Sequence, residues 1–198
     1  STAIKDAYWM NVSLKNSFLD EEVPEITVFR SFKTIQNTDM FYSWLNGVFL
    51  ETVFDTEDYN GNEFKHIGYI NSFNKVFGSI RLRQNRVRNL GGCNIEPQFS
   101  SVTNGTCFGS YDISHRSEES YGGPDRNKYQ FSECKHRFNY KGRLSRTTYD
   151  CSGYFVHIPS DMKLDDALGV SYSLQRDKWI DMQTRSVFVE MFVYNANL

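Results

Sequence analysis

The sequence predicts an α+β fold, an antiparallel sheet packed with a few helices and carrying a loop-rich, disulfide-tied hairpin excursion. Three observations predict it. From Arg185 onward the residues alternate, with Val187, Val189, Met191 and Val193 on one face and Ser186, Phe188, Glu190, Phe192 and Tyr194 on the other, the period of a strand. Two stretches, about 39–54 and about 161–176, space their apolar residues at three to four, the period of a helix. Between them all four cysteines lie in sequence rich in Gly, Ser and Asn.

In chain order, residues 7–24 are aromatic with polar breaks and lead to an acidic turn at Glu21, Glu22, Val23 and Pro24; no element is assigned there. Residues 29–35 alternate as a short strand or extended stretch. Asn37-Thr38-Asp39 is a helix start signal, and Met40, Trp44, Val48 and Phe49 make the stripe that docks the helix on the sheet. Gly47 costs helicity but permits close approach. Residues 55–63 crowd acidic and amide oxygens into a turn. An EF-hand loop begun at Asp58 needs Gly sixth and Glu twelfth but has Glu63 and Tyr69, so the turn is a solvated one.

Residues 68–77 read as strand or loop, and 78–89 as a strand with Arg81 and Arg83 on one face and Arg86 and Arg88 on the other. A single phosphate ligand cannot use both faces, so carboxylates or a neighbouring subunit are the expected partners. Residues 93–107 form a loop, and a bridge between Cys93 and Cys107 would stabilise it by roughly 3 kcal/mol. Residues 111–125 are polar and turn-rich with little to pack, a projecting loop of the kind where binding resides. Residues 129–140 and 144–149 suit a hairpin turned at 140–143, whose base a Cys134 to Cys151 bridge would tie. Residues 152–159 are a further strand; Ser160 is the expected N-cap of the second helix, with Leu164, Ala167, Leu168, Ser171 and Leu174 on its inner face. The last strand, from Arg185, is expected to be the spine of the sheet.

The bounds agree with one domain over 1–198, with 108–150 as a protruding subregion. At 198 residues, 16% of them aromatic, the chain can bury a sizeable core. A net charge of −2 and a pI near 6.1 argue against a nucleic-acid binder. No run of about eighteen apolar residues is present to cross a bilayer, and the start without Met points to an excised domain. The cysteines contain no C-x-x-C spacing, which leaves disulfides, favoured by their loop context, or unrelated buried thiols. The sequons at Asn11 and Asn104 add to a secretory path and an extracytosolic location. His66, His115, His136 and His157 are scattered with no metal spacing, and no nucleophile elbow or phosphate-cradling loop exists; the cluster Asp112, Ser114 and His115 is no triad on adjacency alone. No catalytic residue, metal site or cofactor is assigned.

Several short stretches together resemble the extracellular polycystin domain of polycystin-2-type channels: Phe18-Leu19-Asp20, Phe32-Lys33-Thr34, the arginine run into Gly92-Cys93, Ser152-Gly153-Tyr154, Trp179-Ile180-Asp181, Thr184-Arg185 and Val193 to Asn197. The resemblance covers nearly the whole chain. It implies a domain inserted between the first and second membrane helices of a tetrameric TRP-type cation channel of the plasma, ciliary or endoplasmic reticulum membrane. It also implies a Cys93–Cys107 disulfide and a hairpin reaching the adjacent subunit, with Arg81, Arg83, Arg86, Arg88, Tyr121, Phe138 and Tyr140 as interface candidates. The implied partners are copies of itself, a polycystin-1-like subunit and N-glycans at Asn11 and Asn104. Calcium and other cations enter only as permeant ions of the parent channel, and the membrane only through flanking helices. The Cys134 and Cys151 pair departs from the family pattern. The alternatives are the luminal domain of a mucolipin-type channel and a secreted adhesion or ligand-binding module.

Overall fold

A computed structural model of the chain describes residues 14–20, 31–54, 56, 61, 68–70, 74–89, 108–135, 139–142 and 146–195. It is α+β, as the periodicities predict. The described strands are β1 (Tyr69–Ile70), β2 (Asn74–Arg86), β3 (Phe131–Ser132), β4 (Tyr140–Lys141), β5 (Thr148–Tyr149), β6 (Gly153–Pro159) and β7 (Thr184–Asn195). One sheet runs β1-β2-β6-β3 with β7 also on β2, and β4 and β5 form a separate antiparallel pair. The chain divides into two compact units, one of residues 1–80, 157–176 and 191–198, the other of residues 81–156 and 177–190.

The spine is β2, not β7. Among the described strands β7 pairs only with β2, whereas β2 pairs with β1, β6 and β7. Periodicity exposes which side chains share a face but not how many neighbours a strand acquires, and β7 is correspondingly half-buried on its valine face instead of covered.

In the first unit the helix α1 begins at Thr38, where Asn37 Oδ1 accepts from Met40 N at 2.9 Å. It is α-helical over Thr38–Trp44, passes through a π segment at Leu45–Leu50 that contains Gly47, and closes over Glu51–Val53. Its inner face buries Trp44, Leu45, Val48, Phe49, Leu50 and Val53. Aromatic rings cluster there: Trp44 lies 4.7 Å from Phe32 and 5.3 Å from Phe49, and Phe49 lies 5.0 Å from Phe18, whose carbonyl accepts from Trp44 Nε1. The expected strand near Phe32 is a 3₁₀ turn, Phe32–Thr34. Thr34 overrides the alternation: its hydroxyl donates to Ser31 O at 2.9 Å and accepts from Ser31 N at 3.2 Å, closing the chain on itself.

The second helix, α2 (Leu164–Arg176), buries Ala167, Ser171 and Leu174 and starts later than Ser160 predicts. Ser160 instead lies in a turn in which Met162 N donates to Pro159 O at 3.2 Å, and its own N–H donates to Gly78 O at 3.0 Å. Its carbonyl is also where a Cβ on Gly68 would collide, at 2.9 Å with φ +87°, so the glycine admits the close approach.

In the second unit the expected hairpin is smaller than its sequence suggests. β4 and β5 pair in the register Tyr140↔Tyr149 and Lys141↔Thr148, while Phe131–Ser132 leaves the hairpin and pairs with β6 through Phe131↔Tyr154 and Ser132↔Gly153. The Cys134–Cys151 disulfide is formed. The 111–125 segment packs after all: Tyr111 and Ser117 are buried, and Tyr121 and Tyr129 pair across an isolated bridge.

Candidate functional site

The second unit is built on a run that a hydropathy reading would put in water. Arg83, Gln84, Asn85 and Arg86 of β2 are consecutive and all buried, at 4%, 0%, 2% and 3% exposure. Burying such groups costs several kcal/mol each unless every one is partnered. Arg83 donates through Nε and Nη2 to Glu190 Oε1 at 3.0 and 2.9 Å, and through Nη1 to Asp150 O at 2.7 Å and Asn85 Oδ1 at 3.1 Å. Arg81, at the edge of the same face, donates from Nε to Glu190 Oε2 at 2.7 Å. One carboxylate thus holds two arginines.

Arg86 points to the opposite face, as the strand period requires, and forks onto Asp181 with both distances at 2.8 Å, adding Gln183 Oε1 at 2.6 Å. Between them, Gln84 donates to Thr184 Oγ1 at 2.6 Å and to Trp179 O, and accepts from the Tyr121 hydroxyl. Asn85 donates to Ser152 O at 2.8 Å and accepts from Ser186 Oγ at 3.0 Å. The guanidinium planes are also covered by rings: Arg86 lies 3.6 Å from the Tyr121 centroid and Arg83 3.9 Å from that of Phe188.

A second centre is Asp150. Its carboxylate accepts from the Tyr111 hydroxyl and from Arg116 Nη1 at 2.9 Å. Burial pushes this carboxyl up, but the hydrogen bonds from Tyr111 and Ser152 and the Arg116 charge outweigh it, so it sits below the ordinary carboxylate range. The same burial, reinforced by Asp150, raises Tyr111 well above an ordinary phenol, and burial raises Tyr121 and Tyr154 as well. The chain is held on both sides of Cys151. Arg83 takes the Asp150 carbonyl, Asn85 the Ser152 carbonyl, and Cys134 N donates to Ser152 Oγ at 3.1 Å beside the disulfide. Gly153 completes the approach, because a Cβ there, at φ +151°, would lie 2.4 Å from Gln84 O.

These contacts account for most of the residues singled out in the sequence. Arg81 and Arg83 meet Glu190, Arg86 meets Asp181, and Arg88 donates to Ser114 O at 2.6 Å. Tyr121 caps Arg86, and Tyr140 is 54% exposed at the hairpin with its ring edge-on to Phe188 at 5.2 Å. Cys93, Cys107, Asn11, Asn104 and Phe138 lie outside the described residues, as does most of the acidic turn at 55–63. Sequence reasoning missed the acceptors Glu190, Asp181 and Asp150. Glu190 had a usable signal, being the sole charge in the alternation after Arg185. Among the described residues no group of His, Cys, Asp or Glu is placed to hold a metal. Each of these carboxylates is occupied by an arginine or a tyrosine, so the arrangement fixes strands to one another.

Fold and site define a disulfide-tied α+β domain whose central strand is locked by charge and which displays a short aromatic hairpin. The family model for the Polycystin domain matches residues 31–198, and the chain belongs to that family. It is 27% identical over 172 residues to human Polycystin-2-like protein 1, covering 85% of this chain and 21% of that protein. Against human Polycystin-2-like protein 2 it is 27% identical over 197 residues, covering 96% and 30%. Against mouse Polycystin-1-like protein 3 it is 29% identical over 182 residues, covering 84% and 7%. The chain therefore spans at most 30% of the length of these relatives.

Proposed function

We propose that the chain is the extracytosolic domain of a polycystin-2-like tetrameric cation channel, where it fastens neighbouring subunits and biases the gate by mechanical rather than catalytic means. The observation that carries this reading is the family match over 31–198 within relatives several times longer. Its context supports it: no helix among the described residues is long and apolar enough to cross a membrane, and the Cys134–Cys151 bridge suits an oxidising compartment. Calcium and other cations then concern the parent pore, not this domain. The likeness to Polycystin-1-like protein 3 supports a polycystin-1-type subunit as a partner besides further copies of the chain.

Within the interface candidates the geometry sorts the roles. Arg83 and Arg86 are spent inside their own unit and act by holding the sheet, whereas Arg81, 42% exposed at its side chain, and Tyr140 can touch a neighbour. The test is made on the membrane-embedded parent protein. Removing residues 139–147 should lower the cross-linked tetramer fraction and shift the open probability, and Asn11→Gln with Asn104→Gln should abolish an endoglycosidase-sensitive mass. An unchanged tetramer with unchanged gating would overturn the assembly role.

A further inference from the structure

The second unit contains a cleft that the interlocking of β2 does not use. It measures about 310 Å³ and is lined by Arg88, just beyond β2, and by residues of the 113–119 segment, among them Ile113, Arg116, Glu118 and Glu119. Two of its four charges are consumed. Arg116 Nε donates to Glu118 Oε1 at 2.7 Å, and its Nη1 donates to Asp150 Oδ2 at 2.9 Å. Arg88 and Glu119 remain, and they form no ion pair with each other. Arg88 donates through Nη2 to Ser114 O at 2.6 Å, which leaves its Nε and Nη1 without an acceptor among the described residues. The Glu119 carboxylate has no donor and no cation there.

The backbone fixes the walls before any ligand arrives. Val87 and Arg116 form an isolated antiparallel bridge, with Arg88 N donating to His115 O at 3.0 Å and Ser117 N to Arg86 O at 2.8 Å. Asp112 caps the 3₁₀ turn Ile113–His115 by accepting from Ser114 N at 2.8 Å, and the Tyr154 hydroxyl donates to Glu119 O at 2.7 Å. Walls held in this way reduce the ordering cost of binding. Ile113, 50% exposed, gives the cleft an apolar patch beside its charges. An isolated exposed charge is satisfied by water. Opposite charges that line one concave space without meeting leave room for a molecule carrying the complementary pair.

We infer that this cleft binds a free α-amino acid with an aliphatic side chain, its carboxylate accepting from Arg88, its ammonium on Glu119 and its side chain against Ile113. A simple anion fits less well because Glu118 and Glu119 line the same space, and a metal cation less well because Arg88 and Arg116 do. The volume is at the small end of ligand clefts, as one amino acid requires. Binding is non-covalent and does not depend on the assembly role proposed above.

The test uses the 198-residue chain and L-leucine, followed by NMR chemical-shift titration, with N-acetyl-L-leucine, which lacks the ammonium, and L-leucinamide, which lacks the carboxylate, as comparison probes. Leucine should bind with a dissociation constant on the order of 1 mM, as suits a ligand this small in an open cleft. Each blocked analogue should bind about tenfold more weakly, the loss of one charge-assisted hydrogen bond. Glu119→Gln should bind leucine about tenfold more weakly and no longer distinguish it from N-acetyl-leucine; Arg88→Gln should behave likewise towards leucinamide. Lys163→Glu, an exposed site in the first unit, should bind as the parent does. The three-probe comparison needs no variant, so it decides the matter even if a variant fails to fold. Equal affinity for the three probes, no saturable binding of leucine, or equal loss in Lys163→Glu would overturn the site. So would acetate binding as tightly as leucine, which would make it an anion patch, or variants that keep leucine binding and lose only self-association, which would give both charges to a second copy. Leucine binding is read on this chain and tetramer formation on the membrane-embedded parent, so either proposal can fail alone.

Discussion

The strongest test of the locked central strand is Asp181→Ala. Arg86 is 3% exposed at its side chain, its fork is aligned on both Asp181 oxygens at 2.8 Å, and the Tyr121 ring lies over its plane. Removing one partner of a fully buried pair costs about 3–5 kcal/mol, most of it the penalty of an uncompensated charge. Asp181 is one-third exposed, so water reaches the vacated position, and Gln183 Oε1 remains as an acceptor. Discounting by about half for that screening gives a loss of about 2 kcal/mol. For a chain of this size that corresponds to roughly 4–8 °C in the thermal midpoint, read by calorimetry with the Cys134–Cys151 disulfide intact. The decisive comparison is a double-mutant cycle. In an Arg86→Met background the charge to be compensated is gone, so Asp181→Ala should cost under about 0.5 kcal/mol more, a coupling of about 1.5 kcal/mol. Equal costs in the two backgrounds would refute the claim that the buried cation, rather than some separate role of Asp181, is what the carboxylate serves.

Three further outcomes follow from the same network. Gly153→Ala forces a Cβ to 2.4 Å from a central-strand carbonyl at a φ that alanine avoids, so it should destabilise by about 3 kcal/mol or more, seen as loss of folded protein in a thermal melt. Cys134→Ser with Cys151→Ser opens a loop of sequence separation 17 and should cost about 3 kcal/mol, measured by urea titration. The pH limits lie on both sides of neutrality. Asp150 has a depressed folded value, so its contribution is present above the unfolded carboxylate value near 3.9 and is lost as pH falls through the lower folded one. Tyr111, Tyr121 and Tyr154 are raised, so their contribution is present below the unfolded phenol value near 10 and declines as pH rises beyond it. Ultraviolet titration should show these three ionising only as the fold is lost; their ionisation with the exposed tyrosines would refute the burial argument.

The fold class, both helices, the arginine strand and the last strand are legible in the sequence because each rests on a local period. The opposition of Arg86 to Arg81 and Arg83 is legible for the same reason: side chains on a strand alternate. The 3₁₀ turn at Phe32–Thr34 was hidden because one hydroxyl, that of Thr34, outweighs the alternation around it. The late start of α2 is hidden because Ser160 looks like a cap but lies in the turn that Met162 N closes onto Pro159 O.

The identity of the spine was not legible, and the reason is physical rather than statistical. Read locally, Arg83-Gln84-Asn85-Arg86 belongs at a surface, since no neighbour in sequence can satisfy it. Its acceptors are Glu190, 107 residues from Arg83, Asp181, 95 from Arg86, and the carbonyl of Asp150, 67 from Arg83. A hydrophobic strand can be buried by any apolar surface, but this one is stable inside only if those particular groups arrive together. That makes the polar run a specifier of topology: a slipped pairing of β7 on β2 would strand two buried cations, whereas the native register seats both. The cost of a wrong arrangement is what the charges add.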